Sequence, residues 1–219
     1  MQSFRKFIVL YRLPIAIALI ALGVLLTMQM KHGIYVSWLF FLIAILMIVA
    51  HFMLGPITLM QQYMESGDLD GAKALLSKVK YPNLLYKPLR SAYYMLQSNF
   101  STMNENFDDA EINIRKSIEA GSNDKMVEGG SYLQLGMIAY RKGNKKEAKE
   151  NIRKALSIGL PDKDSEASAY LQLCSIAGEQ RDFKSMKIYF QKAKACKAKN
   201  QEIANQIKEM DKYISRIPG

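Results

Sequence analysis

The sequence predicts an all-α protein: two transmembrane helices, then a solenoid of three to four stacked helix pairs with a C-terminal capping helix. Two long charge-free runs near the N-terminus, a set of residue columns recurring at an interval of 38, and an amphipathic segment at the end of the chain carry this expectation. The runs and the columns are unlike in composition. All 20 acidic residues lie beyond position 60, so the mean hydropathy near zero averages an apolar N-terminal part with a polar, basic remainder.

The first run, between Leu13 and Met30, carries no charged residue, and from Gly33 to Met64 His51 is the one side chain that can be charged near neutral pH. Crossing a bilayer takes roughly 20 apolar residues in a helix, so both runs suffice. We expect spans at about 8–30 and 34–55 within a hairpin domain of residues 1–55. A secretory signal would share the basic start, yet the apolar run is long for one, no small-x-small cleavage site follows, and a second span comes almost at once. The link KHGIY is so short that the spans must be antiparallel. Arg5, Lys6 and Arg12 outnumber Lys31 and His32 across that link, which by the positive-inside bias puts both ends, and the repeats, in the cytoplasm of a cell inner or plasma membrane. His51 reads as a titratable group deep in its span, bonded to a neighbouring backbone or helix.

Beyond residue 55 the chain repeats itself. YLQLG starts at Tyr132 and YLQLC at Tyr170, and stepping back by 38 reaches Tyr94. Other columns read Ala72, Ala110, Ala148, Met186; Leu76, Ile114, Ile152, Phe190; Asp68, Asn106, Asn144, Asp182; and Lys78, Lys116, Lys154, Lys192. Four copies are expected, at about 56–90, 91–128, 129–166 and 167–199, filling a repeat domain of 56–199. In the third copy Tyr132, Leu135, Ile138 and Ala139 form one helical stripe, Gly143 and Asn144 stop it, and Ala148, Ile152, Ala155 and Leu156 form a second. Gly136 and Ala148 are small enough for the two helices to approach closely. In the first copy the helix PITLMQQYM runs straight on from the second span, with Pro56 placed to kink it, and KYPNLLYKPL forms the main irregular linker. After residue 199, Ile203, Ile207, Met210, Ile214 and Ile217 share a face, so residues 200–219 read as the cap that such arrays require.

These columns resemble the tetratricopeptide repeat family. The pattern of aromatic, Leu-Gly, turn, Ala, aliphatic, Ala falls on Tyr132, Leu135, Gly136, Gly143, Ala148, Ile152 and Ala155. It recurs on Tyr170, Leu173, Cys174, Asp182, Phe183, Phe190 and Ala193, and more weakly on Tyr94, Phe107, Ala110 and Ile114, where Gln97 and Ser98 replace Leu-Gly. The family period is about 34, so each unit is longer here, an excess expected in the second helix or its exit. The resemblance implies a concave groove lined by first helices that takes a protein or peptide segment. Carried over, its candidates are Met95, Asn99, Met103, Leu133, Gln134, Met137, Tyr140, Arg141, Leu171, Gln172 and Ser175. Gln134 and Gln172, at one position of successive copies, are suited to bond a peptide backbone because an amide both donates and accepts. On that reading, truncating both to Ala leaves the fold intact. A clamp for a partner's terminal carboxylate is not expected, since Asn99 and Arg141 lack the accompanying Lys residues.

Enzymatic signatures are missing: the chain has no glycine-rich phosphate loop, no histidine pair at helical spacing and no nucleophile elbow. We therefore expect no catalytic residues, no metal and no cofactor. Lys187, Lys192, Lys194, Lys197 and Lys199 crowd the last copy without interleaved aromatics or a nucleic-acid motif, so no nucleic acid is expected, and they read as a solvated face drawn to headgroups. Cys174 sits in the small column of Gly136 and reads as core; Lys194 and Lys197 stand beside Cys196, an arrangement that favours a thiolate, yet a reactive thiol is not the expected reading there. The expected role is a membrane-anchored scaffold or adaptor whose partners are the lipid bilayer and a protein, itself in or on the membrane. The competing role is a small assembly subunit of a transport or secretion complex, with the hairpin as the working part and His51, Trp38 and the Gly55-Pro56 break decisive.

Overall fold

The computed structural model describes residues 7–8, 11–29, 33–54, 59–60, 63, 66–122 and 124–214. These form helices α1 (Arg12–Gln29), α2 (Gly33–Leu54), α3 (Leu69–Ser77), α4 (Lys87–Met103), α5 (Phe107–Ala120), α6 (Lys125–Arg141), α7 (Lys145–Ile158), α8 (Lys163–Glu179), α9 (Phe183–Ala195) and α10 (Gln201–Ile214), with a 3-10 turn at Pro82–Leu84. No strand occurs among the described residues. The chain falls into two compact units, Met1–Tyr93 and Tyr94–Gly219, with the boundary inside α4. The expected kink at Pro56, most of the helix preceding α3, and Ile217 lie outside the described residues.

In the first unit α1 and α2 form the hairpin. Ala16 and Gly23 on one helix, and Ser37 and Ala44 on the other, are each seven residues apart and buried, which makes a seam of small side chains. Small residues let helix backbones approach where only van der Waals packing holds them together. At Gly23 the approach is tight: a Cβ there would lie 2.9 Å from the Phe41 ring. Many of the remaining side chains of the pair are apolar and face outward, including Leu25, Trp38 and Leu46, each more than half exposed. Both helices are long and apolar enough to cross a membrane.

His51 is not deep in the pair. It lies in the last turn of α2, beside Ala50, whose carbonyl accepts a 3.1 Å hydrogen bond from the Arg12 guanidinium at the first residue of α1. An antiparallel hairpin brings those two termini together, and a cation near a helix C-terminus is favoured by the helix dipole. The Tyr86 N–H donates to Met53 O at 2.8 Å, and the Phe52 and Tyr81 rings lie 6.3 Å apart. The linker is thus fastened to the end of α2.

The turn columns explain why the helix pairs recur. Asp68, Asn106, Asn144 and Asp182 are the N-caps of α3, α5, α7 and α9, each with φ between −87° and −81° and a side-chain oxygen accepting the N–H three residues on. Each cap also donates its own N–H to a carbonyl five residues back, on Tyr63, Ser101, Ala139 and Ala177. This wrapped terminus requires a left-handed residue before the cap. Gly67 and Gly143 supply it in two copies; Glu105 (φ 58°) and Arg181 (φ 57°) do so in the others at a steric cost. For a side chain that conformation costs about 1–2 kcal/mol, part of which glycine offsets through its own unfolded-state entropy. Glu105→Gly should therefore raise stability by about 0.5–1 kcal/mol, read as a higher midpoint in chemical denaturation; an unchanged or lowered midpoint would show that the turn is not strained.

Packing in the second unit is continuous. Ala110 and Ile114 of α5 meet Leu135 and Ile138 of α6. Ala148, Ile152 and Ala155 of α7 pack with Leu133 and Ala139 of α6 and Leu173 and Ile176 of α8. Leu171, Cys174 and Ala177 of α8 join Met186, Phe190 and Ala193 of α9 and Ile207 and Ile214 of α10, so the last helix closes the core as a cap. At Gly136 a Cβ would lie 2.6 Å from Ile152 and 3.1 Å from Ala148 O, which is the close approach its size suggests. In three pairs the first helix has 17 residues and the second only 13 or 14, so the second helix does not carry the added length of the unit.

Candidate peptide groove and inter-repeat contacts

The first helices of the second unit are joined side to side by polar groups. Gln134 Nε2 donates to Ser98 Oγ at 3.0 Å and to Asn99 Oδ1 at 2.7 Å, which occupies both amide protons. Ser98 in turn donates to Ala110 O at 2.8 Å and is fully buried. The serine that weakens the second copy's pattern is therefore a satisfied joint between α4, α5 and α6. Further along, the Tyr140 hydroxyl donates to Glu179, which also accepts from Lys145 at 2.6 Å, tying α6, α7 and α8 together. The Lys145 and Tyr140 bonds hold the Glu179 carboxyl below the ordinary carboxylate range, and the Glu179 bond raises the Tyr140 hydroxyl.

Two of the groove candidates are corrected. Leu133 and Leu171 are buried, 7 % and 2 % exposed, and belong to the core on either side of α8. The reason is angular: on the first helices the stripe that meets the paired helix is wide enough to draw in the residue after each Tyr. Asn99 and Gln134 are brought together by their bond. Met95 packs beside Ala110 and Ile114, while Met137 and Tyr140 lie half-buried against the core around Ile152. Met103 and Arg141 are exposed, and Gln172 and Ser175 are half-buried on α8.

Since Gln134 bonds across copies, its truncation does not leave the fold untouched. Gln134→Ala should cost about 1 kcal/mol in a denaturation midpoint, whereas Gln172→Ala should leave the midpoint unchanged. Equal shifts for the two would show that the Ser98 and Asn99 bonds contribute nothing.

Other contacts join residues of separate columns. Lys116, Lys154 and Lys192 lie over the rings of Tyr94, Tyr132 and Tyr170, with Nζ at 5.7, 4.0 and 5.5 Å from the ring centroids. Two columns thus form one clasp repeated three times, worth roughly 0.5–1 kcal/mol each at exposed positions. Across the outer side, Lys142 bridges Asp108 and Glu111, and Arg115 bridges Glu111 and Glu147. Lys142 and Arg115 hold the Glu111 carboxyl below its usual range. The i,i+4 spacing of Glu111 and Arg115 is the one signal of this network in the sequence.

The cysteines divide as follows. Cys174 is fully buried and its thiol is pushed up to about 11 by that burial. Cys196 goes the same way and not, as its lysine neighbours suggest, down: burial and the Glu166 carboxylate raise its thiol pKa, and its Sγ–H points to Lys192 O at 3.2 Å. Two lysines of the last copy are engaged within the fold: Lys192 covers Tyr170, and Lys194 pairs with Asp211 at 2.8 Å. Among the described residues no three His, Cys, Asp or Glu side chains converge as metal ligands would.

The close-packed pair α6–α7 with its Asn144 cap is the part of the chain that a family model recognises. Residues 129–158 match the tetratricopeptide repeat. The tetratricopeptide repeat thus falls on the third copy, whose Tyr132, Gly136, Ala148 and Ile152 carry the family pattern. The helix pairs on either side share its caps and clasps and are consistent with the same repeat architecture. Comparison with curated proteins found no match.

Proposed function

We propose that the chain is a membrane-anchored tetratricopeptide scaffold, with the hairpin within residues 1–55 as anchor and the repeats within 56–199 as the part that takes a protein segment and holds it at the membrane. Tetratricopeptide repeats indicate protein–protein interaction in general. The anchor reading is supported by outward-facing apolar side chains on two helices whose lengths suit a bilayer, an arrangement that water would penalise. The segment-binding reading rests mainly on one observation: α8 presents Gln172 and Ser175 half-buried, while the amide protons at the matching position of the preceding copy are taken up by Ser98 and Asn99. The groove then has one polar position for a bound backbone at α8, flanked by Met137 and Tyr140. Its partner is a protein in or on the same membrane, because tethering raises the local concentration of such partners.

A photo-crosslinking residue at Gln172, compared with one at the outward Glu150, tests this in native membranes. Adducts with a discrete protein from the first position and none from the second are expected, and Ser175→Leu should remove them. Equal adducts from both positions would count against the groove. Alkaline carbonate extraction reads the anchor separately: the full chain stays with the membrane pellet, and release to the supernatant refutes the hairpin.

A further inference from the structure

We infer that the outer side of α9 is a second lipid-binding surface, one that recognises anionic headgroups; this rests on the reading that the chain resides at a bilayer. The side chains are Arg181, Phe183, Lys184, Lys187, Ile188 and Gln191, which line one surface depression. Phe183 and Ile188 are each 45 % exposed. Burying apolar area in the headgroup boundary while cations meet anionic lipid is the recognised basis of peripheral attachment. Asp182, the acidic residue in the depression, already accepts the Ser185 N–H as the α9 cap.

Comparison of copies sharpens the inference. At the positions of Arg181, Lys184 and Lys187 the second copy has Glu105, Asp108 and Glu111, and the last two are engaged by Lys142. Phe107, at the position of Phe183, packs against the core beside Ile114, whereas Phe183 stands out. In the third copy Lys145 takes that position and pairs with Glu179. The third copy has Lys146 and Lys149 at the positions of Lys184 and Lys187, so the last copy is set apart from it by Arg181 in place of Gly143 and by an aromatic turned outward. Its charge complements anionic lipid, and the neighbouring apolar pair suits the acyl boundary better than it suits water.

The test uses the full chain, reconstituted into phosphatidylcholine vesicles with or without phosphatidylserine. In a Trp38→Phe background the Phe183→Trp variant reports the surface. Its emission should shift to the blue and be quenched by brominated acyl chains only when phosphatidylserine is present, and high salt should reverse both effects. Adding Arg181→Glu, Lys184→Asp and Lys187→Glu, each the residue of the second copy at that position, should abolish the response without lowering the melting temperature. Emission that is identical in both vesicle types, or quenching that the triple variant retains, overturns the inference, and so does a shift produced only by an added acidic protein. Failure of the anchor reading looks different: the chain then floats with no phosphatidylcholine vesicle, and the α9 surface stands if flotation with phosphatidylserine vesicles is salt-sensitive and lost in the triple variant.

Discussion

Replacing Gly129 by alanine should lower the melting temperature of the chain, and replacing its neighbour Gly130 should raise it. The two residues sit side by side near the start of α6, yet their surroundings differ completely. A Cβ on Gly129 would lie 1.9 Å from the carbonyl oxygen of Gly159 and 3.0 Å from its carbon. Those are backbone atoms at the end of α7, held by the Gly159 N–H bond to Ala155 O, so no side chain can rotate to make room. The helices must separate, at a cost of about 3 kcal/mol or more. A Cβ on Gly130 meets nothing within 4 Å. There alanine only restricts the unfolded chain and favours the helix, a gain of about 0.5–1 kcal/mol. Circular dichroism melts of the two variants in the same detergent decide the matter, and shifts of the same sign would refute the packing described for α6 against α7.

Ala148→Asp is expected to unfold the second unit altogether. Ala148 is fully buried where α7 crosses α6, within reach of Gly136 and in a cluster with Leu133, Ala139 and Ile152. An uncompensated buried charge costs about 4 kcal/mol or more, a large share of the roughly 5–15 kcal/mol that holds a typical domain together. Loss of the cooperative melt with retained expression is the expected result. Ala148→Ser, smaller and uncharged, should keep a cooperative melt at reduced temperature. A cooperative melt of Ala148→Asp near the parent midpoint would mean that the crossing is open to water.

The architecture was legible because its determinants are local. Period-38 columns, an Asp or Asn before each second helix, and small residues at Gly136 and Ala148 are visible without coordinates, and they specify caps, turns and a close crossing. The Ile203, Ile207, Met210 and Ile214 stripe likewise announced the closing helix. What escaped the sequence depends on angles between helices. By family position Leu133 and Leu171 belong to the groove, yet their helices are rotated so that both enter the core. His51 looks central when counted along its run, but its height is set by the partner helix, whose Arg12 reaches Ala50. Gln134 offered an amide to a ligand on paper; the neighbouring copy's Ser98 and Asn99 take its protons first. Tyr and Lys columns were both visible, and only the offset of 22 residues between them, spanning one helical turn-back, hinted that they meet.

The bond from Tyr86 N–H to Met53 O gives the hairpin a mechanical property. With the Phe52 and Tyr81 rings beside it, the last turn of α2 is clamped to the 81–86 segment by main chain and not by a mobile side chain. A pull on that segment therefore reaches the rim of α2 through the main chain, so load on the linker is passed to the end of the second span.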